Sequence, residues 1–300
     1  MDQFKPFLGE IAALGAAFLW ASASLIFTRL GQTIPPILLN IYKGLVAIAL
    51  LLLTIMLTQV PLGFITPRIM SLLVISGILG IGIGDTAYLS ALRSLGARRT
   101  LLIETLAPPL AAILAFIFLG EALNFQNWIG IALTLTGVAW VITERTSQTV
   151  LEASDFKKGV LWAILAAISQ AGGVVLSRSV LVMSDINPLW TSLIRLIAGT
   201  AIALLIWEIN GYLKPKNPIS WSYRLFIVIS LTAFGSTYLG IWLQQISLKF
   251  SPAGISQTLS ATSPLFVLPM AYSLGEKITR RSVIGVFLAL MGVGILLLGR

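Results

Sequence analysis

Long apolar runs separated by short polar turns dominate this chain. Ten of them approach the roughly 20 residues that a helix needs to cross a bilayer. They lie near 8–28, 36–58, 69–91, 99–119, 127–143, 158–178, 188–208, 224–247, 253–274 and 281–299. Outer-membrane strands alternate apolar and polar positions over about 10 residues. Here Ile48–Leu57 and Ile113–Leu119 are almost continuously apolar, which argues for helices. The connections are turn-like: Pro35-Pro36, Pro61 to Pro67, Asn187-Pro188 and Pro215 to Pro218. The longest polar stretch, Glu144 to Lys158, divides the chain into halves, 1–148 and 149–300. Lys5 and Ala21-Ser22-Ala23 offer a rival signal-peptide reading of the first run. Glu10 inside that run and the apolar continuation Leu25-Ile26-Phe27 oppose it.

The halves echo one another at a fixed offset. Pro109-Leu110 returns as Pro264-Leu265, and Leu119-Gly120-Glu121 as Leu274-Gly275-Glu276. Ile129-Gly130 matches Ile284-Gly285, and Gly137-Val138 matches Gly292-Val293. A repeat with an odd number of spans must restart from the opposite face of the membrane. The expected fold is therefore an all-α integral membrane protein of ten transmembrane helices in two inverted five-helix repeats. That architecture is typical of secondary transporters, whose substrate site lies near the midplane between the repeats.

Composition narrows the chemistry. Only 10% of the 300 residues are charged and 57% are hydrophobic, so a soluble domain is excluded. Neither His nor Cys occurs. Zinc sites of Cys and His, thiolate nucleophiles and Ser-His pairs are thereby removed, and no metal or cofactor is expected. A Ser-Lys dyad on Lys43 keeps an intramembrane enzyme formally open, and a channel is the other alternative. The net charge of +9 comes from short juxtamembrane loops, which suit topology and anionic lipid better than nucleic acid. Lys43 and Arg195 aside, thirteen Lys and Arg fall on one side of the spans; Lys5, Arg68, Arg178, Lys249 and Arg300 fall on the other. The positive-inside rule then places both termini outside a cell (inner) membrane.

Away from the run ends, four acidic or basic residues lie well inside the apolar runs: Lys43, Asp85, Glu104 and Arg195. Such groups normally face a cavity or a partner. From Pro36, Arg93 and Arg98 at ~1.5 Å per residue, Lys43, Asp85 and Glu104 share one layer, with Arg195 entering from the other side. They form either a substrate or coupling-ion layer, or a structural ion pair with a snorkelling Lys. Pro108 and Pro109 interrupt the fourth run; Pro264 and Pro269 interrupt the ninth. Breaks at matching places in two halves point to a binding site, although packing kinks use proline as well. Tyr238, Trp242 and Gln245 share one helical face, and Ser256 and Ser260 another with Gln257 beside them; Trp20 and Ser24 pair likewise in the first run. Such faces suit a small zwitterionic or amphipathic metabolite, while Ser and Thr also serve as interhelical glue. The Leu-Gly-Glu turns and the glycines Gly77, Gly80, Gly82 and Gly84 read as structural.

Gly84-Asp85-Thr86-Ala87-Tyr88, the Glu104-to-Pro109 stretch, both Leu-Gly-Glu turns and the repeated glycines resemble the EamA-type drug/metabolite transporters. The resemblance spans nearly the whole chain. It implies a carrier of small metabolites such as amino acids, read as an exporter or exchanger, and the inversion of the halves suggests alternating access. The charges inside the runs and the polar faces make Lys43, Asp85, Tyr88, Glu104, Arg195, Tyr238, Trp242, Gln245, Gln257 and Ser260 the candidate substrate or coupling residues. The expected partners are a small-molecule substrate, the lipid bilayer and protons, for a monomer or weak dimer.

Overall fold

The computed structural model describes residues 7–142, 153–209, 221–266 and 280–298, and no strand occurs among them. Helix occupies each of the ten apolar runs. In chain order the helices are α1 (Leu8–Leu30), α2 (Pro36–Thr58), α3 (Pro67–Gly77), α4 (Thr86–Leu95), α5 (Ala97–Glu104), α6 (Ala107–Leu119), α7 (Phe125–Ile142), α8 (Ala153–Met183), α9 (Pro188–Ile209), α10 (Tyr223–Ala233), α11 (Gly240–Phe250), α12 (Ala253–Ser260) and α13 (Arg280–Leu298). Prolines open several of them: α2, α3 and α9 each begin on one, where the missing N–H costs nothing. Among the described residues, seven stretches are long and apolar enough to cross a membrane: 8–30, 36–58, 67–95, 99–119, 155–183, 188–209 and 223–250. Val283–Leu298 is a shorter apolar helix, and the ninth run is described only as far as residue 266.

Two of the long stretches change winding partway. The π segment Ile78–Asp85 joins α3 to α4, and a second, Phe234–Leu239, joins α10 to α11. They lie at corresponding places in the two halves. A π segment shifts the backbone ladder to i→i+5 bonding and locally rotates the faces that follow it. Two other stretches break outright. After α5 the chain turns at Thr105–Leu106 before α6 starts, with Pro108 and Pro109 in its first turn. After α12 it turns at Ala261–Thr262 and re-enters a helical turn at Ser263, just before Pro264. The breaks fall a few residues before Pro108 and Pro264, where a proline ring clashes with the carbonyl four residues back. In the second break the Ser260 carbonyl, freed from the helical ladder, accepts from the Ser263 hydroxyl at 2.8 Å. Pro269 lies outside the described residues.

The bundle closes around α8, which packs against α3, α4, α6 and the first π segment. Small residues set the distances. A Cβ on Gly77 would collide with the Arg195 backbone, and one on Gly199 with Ile81 and the Gly77 carbonyl, so α9 rides directly on the first π segment. α7 runs along α13 through Gly130 against Gly292 and Gly137 against Gly285 and Ala289, an antiparallel contact between backbones. Large apolar side chains such as Met56, Leu57, Phe116, Phe118 and Ile209 point outward, as a lipid-facing surface requires.

The α7–α13 contact makes a direct prediction. Gly137→Leu has no space and should cost about 1–3 kcal/mol or more by overpacking. Gly294, with nothing within 4 Å of a built Cβ, should accept Leu with an unchanged melting temperature. Thermal unfolding of both variants in detergent, followed by tryptophan fluorescence, checks the contrast.

Candidate functional site

The changes of winding and the breaks all converge on one cavity of about 160 Å³. An engineered cavity of ~150 Å³ holds benzene, so this one has room for a small organic solute. Its wall takes Trp20, Ser24 and Phe27 from α1, Lys43 from α2, Ile81, Asp85, Tyr88 and Leu89 from the first π segment and α4, and Glu104, Ala107 and Pro108 from the first break. Gln170 and Arg195 complete that side. Ser236, Thr237, Ile241 and Gln244 from the second π segment and α11 face it, with Gln257, Ser260, Ser263 and Pro264 at the second break.

Asp85 organises the polar wall. It forms an ion pair with Lys43, and its Oδ1 accepts from the Gln170 amide at 2.9 Å. The same Gln170 Nε2 lies 3.3 Å from the Gly80 carbonyl inside the π segment. One turn before Lys43, Asn40 donates to the Ile81 carbonyl at 2.8 Å and to the Thr86 hydroxyl at 2.9 Å. Where a helical ladder changes register, carbonyls are left for outside donors. Asn40 and Gln170 supply those donors here. In the second π segment the Trp20 indole does the same, donating to the Ser236 carbonyl at 2.8 Å.

Arg195 and Glu104 stand differently. Arg195 is only 1% exposed, yet its Nε and Nη1 are buried without a partner among the described residues. Glu104 Oε1 and the Ser260 hydroxyl are likewise buried and unpartnered. The cavity is not centred. It is lined by the later half of α1, the first turns of α2 and the later half of the α3–α4 stretch, so it lies toward the loops 31–35 and 96. The opposite end is tied shut. Gly120, at φ +67, turns the chain sharply after α6 and aims Glu121 at the start of α12. Glu121 accepts from Arg178 at 2.6 Å and from the Ala253 backbone N–H at 3.0 Å. Arg178 also donates to the Leu248 and Lys249 carbonyls, and an apolar cluster including Leu73, Ala115, Val175 and Leu248 fills the space beneath. The second Leu-Gly-Glu turn lies outside the described residues.

The structure thus brings Lys43, Asp85, Tyr88, Glu104, Arg195, Gln257, Ser260, Pro108 and Pro264 to one cavity. Arg195, expected from the other side, reaches the same wall. Pro109 follows in α6 but is not in the lining. Three expected residues also lie elsewhere. The Tyr238 hydroxyl bonds Thr54 at 2.7 Å, the Trp242 ring lies tilted against the Tyr238 ring with centroids 6.1 Å apart, and Gln245 Oε1 accepts from Ser177. The inward face of this stretch is instead Thr237, Ile241 and Gln244, one residue earlier, because Tyr238 and Gln245 turn to Thr54 on α2 and Ser177 on α8. Gln170 escaped the sequence reading altogether, although it stands as a lone amide within the sixth apolar run.

The profile of the EamA-like transporter family matches residues 7–143 and again 157–298. The chain belongs to that family and is a multi-span membrane transporter. It is 26% identical over 228 residues to the uncharacterized transporter YyaM of Bacillus subtilis (strain 168), covering 73% of this chain and 70% of that protein. It is 24% identical over 289 residues to an uncharacterized transporter of Archaeoglobus fulgidus, covering 96% of this chain and 97% of the relative. A solved crystal structure shares the fold with a TM-score of 0.75 at 20% identity, over 96% of this chain and 95% of the other.

The wall predicts an asymmetry between single and double substitutions. Removing one partner of a buried pair strands the other charge and costs about 3–5 kcal/mol, whereas an apolar replacement of both is often neutral. Lys43→Met alone should therefore melt well below wild type, and Lys43→Met with Asp85→Leu should recover most of the loss. Melting curves of the purified variants in detergent measure it.

Proposed function

We propose that this protein is a secondary transporter, an exporter or exchanger, that carries small polar metabolites across the cell (inner) membrane by alternating access. In this reading ten spans form two inverted five-helix units, 1–148 and 149–300, around a shared cavity between them. The observation that carries it is the meeting of the two broken stretches there. Glu104 and Pro108 from one half, and Ser260 and Pro264 from the other, line the same cavity. Broken helices at the midplane leave free backbone groups and flexible joints where a substrate must be held and released.

Further features support it. The π segments occupy matching places in the halves, and α7 meets α13 antiparallel through repeated glycines, as inverted copies would. The cavity is displaced toward the basic loops while Glu121 and Arg178 tie the far end shut. That is the shape of a carrier waiting on one side, and the loop charges name that side as the cytoplasm, with both termini outside. Glu104 and Asp85 are the carboxylates available to carry a proton, Asp85 being held by Lys43 and Gln170.

Counterflow in proteoliposomes tests the reading. Vesicles preloaded with a substrate should accumulate labelled external substrate saturably, and flux that rises linearly with concentration would instead mark a channel. Asp85→Asn and Glu104→Gln should each lower the counterflow rate at least about tenfold, ~1.4 kcal/mol, while eluting as folded protein. If both variants transport like wild type, the charged layer has no part in transport.

A further inference from the structure

The Leu-Gly-Glu turn after α6 ends on a charge that reaches beyond the turn. Glu121 belongs to the first of the two matched segments and its partners to the second. Its Oε1 accepts from Arg178 Nε at 2.6 Å and its Oε2 from the Ala253 backbone N–H at 3.0 Å. Arg178 Nη1 donates at 2.6 Å to the Leu248 carbonyl and at 3.1 Å to that of Lys249, in the last turn of α11. The anion thus meets a helix N-terminus and the cation a helix C-terminus, each at the end that favours its charge. Together they pin the corner between α11 and α12 to the turn after α6.

Two helices run between that corner and the cavity. α12 has its first N–H on Glu121, while Gln257 and Ser260 near its other end line the cavity, with Ala261 just beyond. All eight of its residues are buried, and at ~1.5 Å per residue it is roughly 12 Å long. α6 runs the opposite way, from Ala107 and Pro108 in the cavity wall to the Glu121 turn. The two lie tight together: a Cβ on Gly254 would come within 2.6 Å of the Ala112 side chain. The breaks at Thr105–Leu106 and Ala261–Thr262 free both helices, at the cavity end, from the remainder of their stretches. A close-packed helix pair passes a displacement at one end to the other, because a packed interior has low compressibility. We infer that Glu121 and Arg178 are positioning residues for transport: their ion pair is a latch on the far end, and α12 with α6 carries its state to the cavity, so that the far end opens as the cavity closes. Glu121 lies beyond the apolar stretch 99–119, so water can take the carboxylate once the pair parts. The inference rests on the carrier reading above only for the claim that this movement serves transport.

The chain contains no cysteine, so one introduced thiol is a unique reporter. Ala115→Cys places it in the apolar cluster beneath the latch, where Ala115 is 1% exposed; Ala203→Cys, fully buried on α9, is the control. The rate of labelling by N-ethylmaleimide is measured on the purified full-length protein in detergent. Glu121→Gln should speed labelling of Ala115→Cys about tenfold or more, the factor lost with one charge-assisted hydrogen bond, and leave Ala203→Cys unmoved. Ala261→Phe then puts a ring at the foot of α12, in a cavity with room for it, and props the cavity open. Added to Glu121→Gln, it should return Ala115→Cys to nearly its original slow rate, which local fraying at the latch would not do. Arg178→Lys, which keeps the charge but loses the fork, should give an intermediate rate and serves where Glu121→Gln does not fold. Labelling of Ala115→Cys unmoved by either substitution overturns the latch. A fast rate that Ala261→Phe fails to slow overturns the transmission through α12, and equal acceleration of Ala203→Cys marks a general loosening and overturns both. Counterflow separates the inference from the carrier reading. The expected labelling without counterflow of any solute keeps the latch and discards the carrier; counterflow with labelling unmoved does the reverse.

Discussion

The ion pair between Lys43 and Asp85 fixes the geometry around it. Inside a span a charge needs a partner or a polar cavity, and these two meet each other at the cavity wall. Asp85 ends the first π segment, Lys43 comes from α2 and Gln170 from α8, so one carboxylate ties three elements together. Once they are tied, the carbonyls of the π segment fall within reach of Asn40 and Gln170. The segment can then hold a winding that leaves its own ladder incomplete. The price of the arrangement is space, which is why small residues cluster where α9 and α8 approach. Gly77 meets the Arg195 backbone, and Gly173 lies against Gly80. Arg195 is thereby pressed to the cavity wall.

The two ends of the bundle are built from different materials. Toward the Glu121 end, a fork of hydrogen bonds from Arg178 joins α8 to the end of α11 and, through Glu121, to the start of α12. Apolar packing lies beneath it. Toward the other end the cavity interrupts the core, and its largely apolar wall carries the charged and polar groups described above. The backbone breaks at Thr105 and Ala261 lie between the tightly bonded end and the hollow one.

Much of this was legible from residue order. Apolar runs announced the helices, and Pro108 and Pro264 announced the breaks, because a proline's missing N–H acts at a fixed distance along the chain. The charged layer was legible because charge is rare in such runs. The Glu121 turn was legible as structural from its glycine. What escaped depends on rotation about helix axes and on contact between distant segments. That Gln244 rather than Gln245 lines the cavity follows from the contacts of Tyr238 with Thr54 and of Gln245 with Ser177, which no local pattern marks. Gln170 carries no motif; its importance comes from Asp85, 85 residues away in sequence. That Arg195 lacks a partner while Lys43 has one is likewise a property of the packed state alone.

The glycine contact between α7 and α13 has a further meaning. By the repeat offset Gly130 corresponds to Gly285 and Gly137 to Gly292, yet in space Gly130 meets Gly292 and Gly137 meets Gly285. Each position touches the counterpart of the other, which is the rule of self-complementary contact in a two-fold homodimer. In a homodimer every residue is written twice, and a charge placed on one side of the axis must appear on the other. Joined in one chain, the copies are released from that rule. Asp85 corresponds to Gly240 and Glu104 to Leu259, so the carboxylates stand on one side of the cavity only, opposite a wall of amides and hydroxyls. A symmetric dimer could offer a ligand only the same groups twice; this chain can present two unlike walls, and so fix which way round an asymmetric molecule sits.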